Sequence, residues 1–398
     1  MRTIFLIWLI FLCPKLFLYS QTSFKKGVVH DTVQVSGAQG ESFALYLPDS
    51  YSDAVLSPIV FIFDPAARGR AGIQPFIEAS EKHGLVLVCS NNSRNAPYER
   101  NFKIADHLFN HVFSNFNIQK GGIYAAGFSG GSRLASAIAS LTNQFAGVIG
   151  CGAGFSGQKE HMPTTQTYSY VGLCGYRDMN YSEMMQNHDY LDQIHFSNTL
   201  ITFDDEHRWP HFSHISRAFD WLYLQKLKAN NSEDTAQFMK QYSLDYQWLK
   251  KIEAQNEPIL LAEQYVRMLT DYGESIQVDS LRQGYTALQE STTYKKQSRK
   301  LKKALLMEQR LGKEFRSQFS KDFEGSDKPD FNWWKEKLKK LTALGKNEDV
   351  QVQRMVYRLK YDLFARAFSR KSFLASTSFH DQVALLDRFL EILSSFTK

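Results

Sequence analysis

Up to about residue 225 the chain alternates two kinds of hydrophobic pattern. Short apolar runs rich in Val, Ile, Phe and Tyr occur at 28–36, 42–47, 58–63, 85–89, 122–126, 146–151, 168–173 and 200–203, and their length and polar borders predict strands. Between them apolar residues recur every three or four positions, at 73–82, 101–116, 130–141, 182–193 and 211–227, which predicts helices. Two antiparallel opening strands followed by alternating strand and helix imply an α/β fold, a mostly parallel sheet with helices on both faces. Reactive groups in such sheets collect at the carboxyl ends of the strands. After Asn231 the alternation stops. Leu301, Leu305, Leu311, Phe315 and Phe319, then Val352, Met355, Val356, Leu359 and Leu363, then Leu385, Leu386, Phe389, Leu390 and Leu393 repeat at helical spacing. The chain therefore divides into an α/β domain over 28–227 and an all-helical C-terminal domain over 231–398.

The N-terminus reads differently from both. Arg2 precedes an apolar run from Ile4 to Cys13, which Pro14-Lys15 ends. That run is short for a bilayer-spanning helix and suits a secretory signal over 1–20. Export to a periplasmic or extracellular space is expected, with anchoring by this segment as the alternative. Cys89, Cys151 and Cys174 lie in strand-like runs and are expected as buried thiols. A Cys151–Cys174 bridge is the alternative in an oxidising compartment.

Composition changes this picture little. Of 398 residues 43% are hydrophobic and 22% charged, which is globular and excludes a disordered or collagen-like chain. Up to Asn230 there are 18 basic and 18 acidic residues, and beyond it 29 and 23. So mild an excess excludes a dedicated nucleic-acid binder. Aromatics reach 14%, and Trp333 and Trp334 in the helical part are expected either to fill its core or to meet a substrate.

The chemistry is concentrated after the strands. Gly127-Phe128-Ser129-Gly130-Gly131 stands between a predicted strand and a predicted helix, the context in which G-x-S-x-G exposes a serine on a sharp turn. A serine hydroxyl needs a base to take its proton, and the base needs a carboxylate to hold its tautomer. Asp178 lies beyond the strand at 168–173, and His207 follows the strand at 200–203. Ser129, Asp178, His207 is the chain order of the α/β-hydrolases. Asp204 and Asp205 are alternative carboxylates. His207, His211 and His214 lack a metal-site spacing, since Pro210 interrupts them, so neither a metal nor a cofactor is expected.

These motifs, with Ser42-Phe-Ala-Leu-Tyr-Leu-Pro-Asp-Ser-Tyr51 and His207-Arg-Trp-Pro210, make residues 28–227 resemble the α/β-hydrolase superfamily. Within it the chain looks like the secreted esterases that include polyhydroxybutyrate depolymerase-like and feruloyl esterase-like proteins. The resemblance implies that Ser129 is the nucleophile, His207 the general base and Asp178 its orienting acid. An oxyanion hole would use the N–H of Gly130 and that of Ala66, in the loop after Phe63, with Asp64 neutralised by Arg68 or Arg70. An ester substrate is expected, and a carbohydrate or polymer linkage stays open, as does a protein partner for the helical domain. A serine peptidase and a non-catalytic binding or scaffold protein are the alternatives. A chain ended near residue 230 is expected to keep activity on small esters.

Overall fold

The computed structural model describes residues 24–229, 235–325, 328–375 and 380–396. The signal expected over 1–20 and the junction at 230–231 lie outside them. Eight strands, β1 (Val29–Gln34), β2 (Ser42–Tyr46), β3 (Ser57–Phe63), β4 (Val86–Ser90), β5 (Ile118–Phe128), β6 (Gly147–Cys151), β7 (Ser169–Gly175) and β8 (Asn198–Phe203), form one sheet in the order β1-β2-β4-β3-β5-β6-β7-β8. β2 runs antiparallel to β1 and β4, and every other pairing is parallel. All eight coincide with the apolar runs of the sequence. The central strands are near-continuous hydrophobic segments because both faces are covered.

Helices α1 (Gly69–Ile73), α2 (Ile77–His83), α3 (Tyr98–Asn115), α4 (Gly130–Thr142), α5 (Tyr181–Gln193) and α6 (Phe212–Ala229) make those covers. The single helix expected over 73–82 is divided by a 3-10 turn at Gln74–Phe76, where Pro75 has no N–H to continue the α ladder. One face of the sheet packs Phe43, Phe61, Val88, Ala125 and Val148 beneath α3 and α4 residues Leu108, Val112, Leu134 and Ile138. The other face packs Ile62, Leu87, Ala126, Ile149 and Ile201 beneath Phe76, Ile215, Phe219 and Leu222.

The remainder is helical: α7 (Thr235–Ala254), α8 (Pro258–Tyr272), α9 (Asp279–Glu290), α10 (Thr292–Phe323), α11 (Phe331–Leu344), α12 (Val350–Leu374) and α13 (His380–Ser395). Two cores hold it. Phe315, Phe319, Trp334, Leu359, Leu363 and Phe389 form the distal one, while Leu249, Tyr265, Met268 and Tyr272 pack on Leu224 of α6. Trp334 is wholly buried and donates to Asp322 at 2.8 Å, so it fills this core rather than meeting a substrate.

The helical part also closes the sheet. β8 is an edge strand, and such an edge leaves backbone groups unpaired. Arg267 of α8 lies across it, donating to Thr199 Oγ1 at 2.9 Å and to the Leu200 carbonyl at 2.8 Å. Leu301 and Leu305 of α10 pack on Cys174, Tyr176 and Tyr181. Cys89, Cys151 and Cys174 are buried free thiols.

Candidate active site

Ser129 occupies the turn between β5 and α4 with φ 52° and ψ −120°, a conformation that costs a non-glycine residue about 1–3 kcal/mol. The neighbouring glycines make it attainable. A Cβ on Gly131 would lie 1.9 Å from the Phe63 carbonyl oxygen, and one on Gly127 would lie 2.2 Å from that of Gly131. Without side chains, the start of α4 packs directly against the ends of β3 and β5. The Ser129 N–H donates to the Cys151 carbonyl at 2.8 Å, which ties the turn to β6 and leaves the hydroxyl half-exposed at the first turn of a helix.

Asp178 and His207 reach it from the next two loops. His207 Nε2 is 3.0 Å from Ser129 Oγ, and His207 Nδ1 is 2.9 Å from both oxygens of Asp178. The side chains of His207 and Asp178 are 7% and 1% exposed. Asp178 also accepts the Asn180 N–H at 2.8 Å, and Asn180 Nδ2 donates to the Gly152 carbonyl at 2.7 Å. Phe128 packs its ring 4.6 Å from the imidazole. The structure thus brings together the three residues that the sequence placed at strand ends. Asp204 instead pairs with Arg177 at 2.7 Å and Asp205 with Arg208 at 2.5 Å.

Gly152, which the sequence reading passed over, forms the floor beneath this line. Its φ is +64°, and a Cβ there would sit 2.8 Å from Asp178 Oδ2 and 3.3 Å from His207 Nδ1. The only signal for it was a glycine directly after a strand.

The loop after β3 corrects one expectation. The Ala66 N–H is already given to Asp64 Oδ1 at 2.9 Å, because Asp64 folds the loop back on its own backbone in an Asx turn. It is therefore not free to receive an oxyanion. Arg68 neutralises Asp64 through Nε and Nη2, each at 3.0 Å, whereas Arg70 pairs with Asp31. Burial pushes the Asp64 carboxyl up, but hydrogen bonds from Arg68, Trp209 and Ala66 outweigh it and hold the group below its usual range. The Trp209 bond, 2.9 Å long, anchors the histidine loop to β3. Beside Gly130 lies another amide group. The place a Gly130 Cβ would take is 1.8 Å from Asn95 Oδ1 and 3.4 Å from its Nδ2, and the Asn95 N–H binds the Pro65 carbonyl at 2.9 Å. Asn95 sits in the polar run Ser90-Asn91-Asn92-Ser93-Arg94-Asn95 that follows β4.

The three nearby histidines do not converge. His211 bonds Ser213, and His214 stacks on Phe203 with ring centroids 4.1 Å apart. Among the described residues no group of three His, Cys, Asp or Glu side chains is arranged to hold a metal ion.

Helix α12 contributes what the sequence could not place. Tyr357 donates its hydroxyl to Glu206 Oε2 at 2.7 Å, one residue before the histidine. Arg358 donates to the Tyr176 carbonyl at 2.7 Å, two residues before Asp178, and pairs with buried Glu308. The Arg354 guanidinium lies 4.3 Å above the Tyr176 ring, and the Tyr361 ring is 5.7 Å from that of His207. Both loops that deliver the imidazole and its carboxylate are thus braced by the helical part. A chain ended near residue 230 would lose those braces.

A mostly parallel sheet in this strand order, with a strained serine on the turn from a central strand into a helix, has the α/β-hydrolase fold. No family profile and no curated protein matches the chain. Among solved structures it is similar to the S-formylglutathione hydrolase FrmB of Staphylococcus aureus, at 18% identity over 46% of this chain and 90% of that one, with a TM-score of 0.39. It is also similar to FphF, a fluorophosphonate-binding serine hydrolase of Staphylococcus aureus, at 16% identity over 50% and 99%, with a TM-score of 0.42. Est1E from Butyrivibrio proteoclasticus gives 12% identity over 50% and 99%, with a TM-score of 0.39.

Proposed function

We propose that the chain is an exported serine hydrolase that cleaves carboxylic esters through an acyl-enzyme intermediate. The observation that carries this reading is the continuous hydrogen-bonded line Ser129 Oγ, His207, Asp178 at a strained turn. His207 Nε2 takes the serine proton as Oγ bonds to the carbonyl carbon, and Asp178 holds the other ring nitrogen protonated. The bond to the alcohol oxygen then breaks, and the proton on Nε2 passes to that oxygen. Water enters by the reverse course: it gives a proton to His207 and its oxygen to the acyl carbon, the bond from that carbon to Ser129 Oγ breaks, and the proton on Nε2 returns to Oγ as the acid leaves. The Gly130 N–H, at the first turn of α4 where helix N–H groups are unpaired, receives the oxyanion.

Labelling by a fluorophosphonate tests the reading. Wild-type protein should label, Ser129→Ala should not, and its hydrolysis of 4-nitrophenyl acetate should fall by about a thousandfold or more. Equal labelling of the two proteins would overturn the assignment. Export is supported by the residues at 1–20, and N-terminal sequencing of the protein recovered outside the cytoplasm checks it.

A further inference from the structure

On α12, Tyr357, Tyr361, Phe364 and Phe368 recur at spacings of four, three and four and so share one helix face. Their rings form an unbroken series. Tyr357 stacks on Tyr361 at 6.2 Å, Tyr361 meets Phe364 at 5.9 Å, and Phe364 stacks on Phe368 at 5.9 Å. Tyr361 in turn contacts the His207 ring at 5.7 Å. At its N-terminal end this face rests on the histidine loop through Tyr357. Further along it is open, with Phe364 44% and Phe368 56% exposed. From Tyr361 to Phe368 the rise is about 10 Å. An apolar row of this kind, left in water, marks a binding surface rather than a folding requirement.

Which half of a substrate it would meet follows from the proton path. His207 gives its proton to the leaving oxygen, so the alcohol half of an ester lies on the histidine side of the scissile bond. The aromatic row begins at that imidazole. The cations beside the row on this helix are Lys360, four residues before Phe364, and Lys371, three after Phe368; Lys360 donates to the Phe396 carbonyl at 2.5 Å and Lys371 pairs with Asp387. A charged occupant would have to draw these groups away from the partners they hold.

We infer that Tyr361, Phe364 and Phe368 form the alcohol subsite, and that the substrates are esters of uncharged, elongated aromatic alcohols. This rests on the hydrolase reading above and adds the substrate class to it. A ring of the leaving group lies against Tyr361 and a second against Phe364 and Phe368, which removes two apolar surfaces from water at once.

The test compares kcat/KM for the acetates of ethanol, 2-phenylethanol and 4-biphenylmethanol. For the wild type it should rise at least tenfold along the series. In Phe364→Ala/Phe368→Ala, whose changes lie on exposed side chains, the ratio of biphenylmethyl to ethyl acetate should fall about tenfold. A flat wild-type series, or an unchanged ratio in the double variant, would overturn the subsite. So would a fall that follows the length of the acyl chain in ethyl esters instead. Calorimetric binding of 4-biphenylmethanol to Ser129→Ala needs no turnover and keeps the two claims apart. If the wild type hydrolyses none of these esters and yet the alcohol binds Ser129→Ala at least tenfold more tightly than the triple variant carrying both alanines, the hydrolase reading fails and the aromatic site stands. Equal binding by the two overturns the site. Sedimentation covers the remaining occupant: a dimer that dissociates on the double substitution, with the ester ratio unchanged, would assign the row to a second copy of this chain.

Discussion

The sheet half and the helical half stabilise their buried charges by different means. In the sheet half the charged and polar groups of the site are met by loops at the same strand ends: Asp64 by Arg68 and Trp209, Asp178 by Asn180 and by the loop after the adjoining strand. In the helical half the contacts with the site reach far along the chain, Arg358 to Tyr176 over 182 positions and Tyr357 to Glu206 over 151. The sheet half assembles the reacting groups, whereas the helical half restrains the loops that carry two of them. That difference predicts which substitutions change chemistry alone and which change chemistry through the fold.

The largest effect belongs to the sheet half. Asp178→Asn should lower kcat on 4-nitrophenyl acetate by about ten-thousandfold, because an amide no longer selects the imidazole tautomer. Asp204→Asn, whose partner is Arg177 on a side chain 61% exposed, should cost severalfold at most. A larger loss at Asp204 would move the carboxylate role there and break the division between the halves.

Arg358→Met probes the other half. It leaves Glu308 buried without its guanidinium, a loss of about 3–5 kcal/mol in urea unfolding where a buried pair is broken. Hydrolysis by the still-folded protein should fall as well, since the Tyr176 carbonyl precedes the Asp178 loop. Tyr357→Phe is the gentler companion. It removes one hydrogen bond worth about 1 kcal/mol and should lower kcat severalfold with KM little changed. Unaltered kcat in both variants would show that α12 covers the loops without restraining them.

The same division explains what was legible in the sequence. Strands and elbow follow local rules: period and β-branching for β3 to β8, and glycines around a serine between strand and helix. Ser129, Asp178 and His207 could be read because each sits at the end of such a strand. The Ala66 expectation failed at the next level of detail. Whether a backbone N–H is free depends on where an aspartate two residues earlier turns its carboxylate, and pattern does not record that. Gly152 was missed because its role exists only where three loops meet. Tyr357, Arg358 and Tyr361 looked like ordinary positions on an amphipathic helix. The periodicity showed that α12 exists and which residues enter its core, but carried no information on what its other face touches.

The last comparison takes one titrating group from each half and is read from pH slopes alone. His214 in α6 is half-buried against Phe203, and desolvation, helped by Arg217, lowers its pKa to about 4. Its folded value lies below the unfolded value of about 6.5, so the stability it permits is complete above that pH and is lost as pH falls through 6.5 towards 4. Asp271 in α8 is buried beside Trp221, and desolvation raises its pKa to about 6. Here the sign reverses: the charged form burdens the fold above pH 6, and the burden is relieved as pH falls from 6 towards 4. Each is worth up to about 3 kcal/mol across its window, so in the wild type the two slopes largely cancel between pH 4 and 6. Relative to the wild type, His214→Leu should gain stability in urea as pH is lowered from 6.5 to 4, while Asp271→Asn should lose it. Because the remaining carboxylates contribute equally to all three proteins, the difference curves isolate the two groups. Slopes of the same sign in both variants would show that these two groups do not oppose each other.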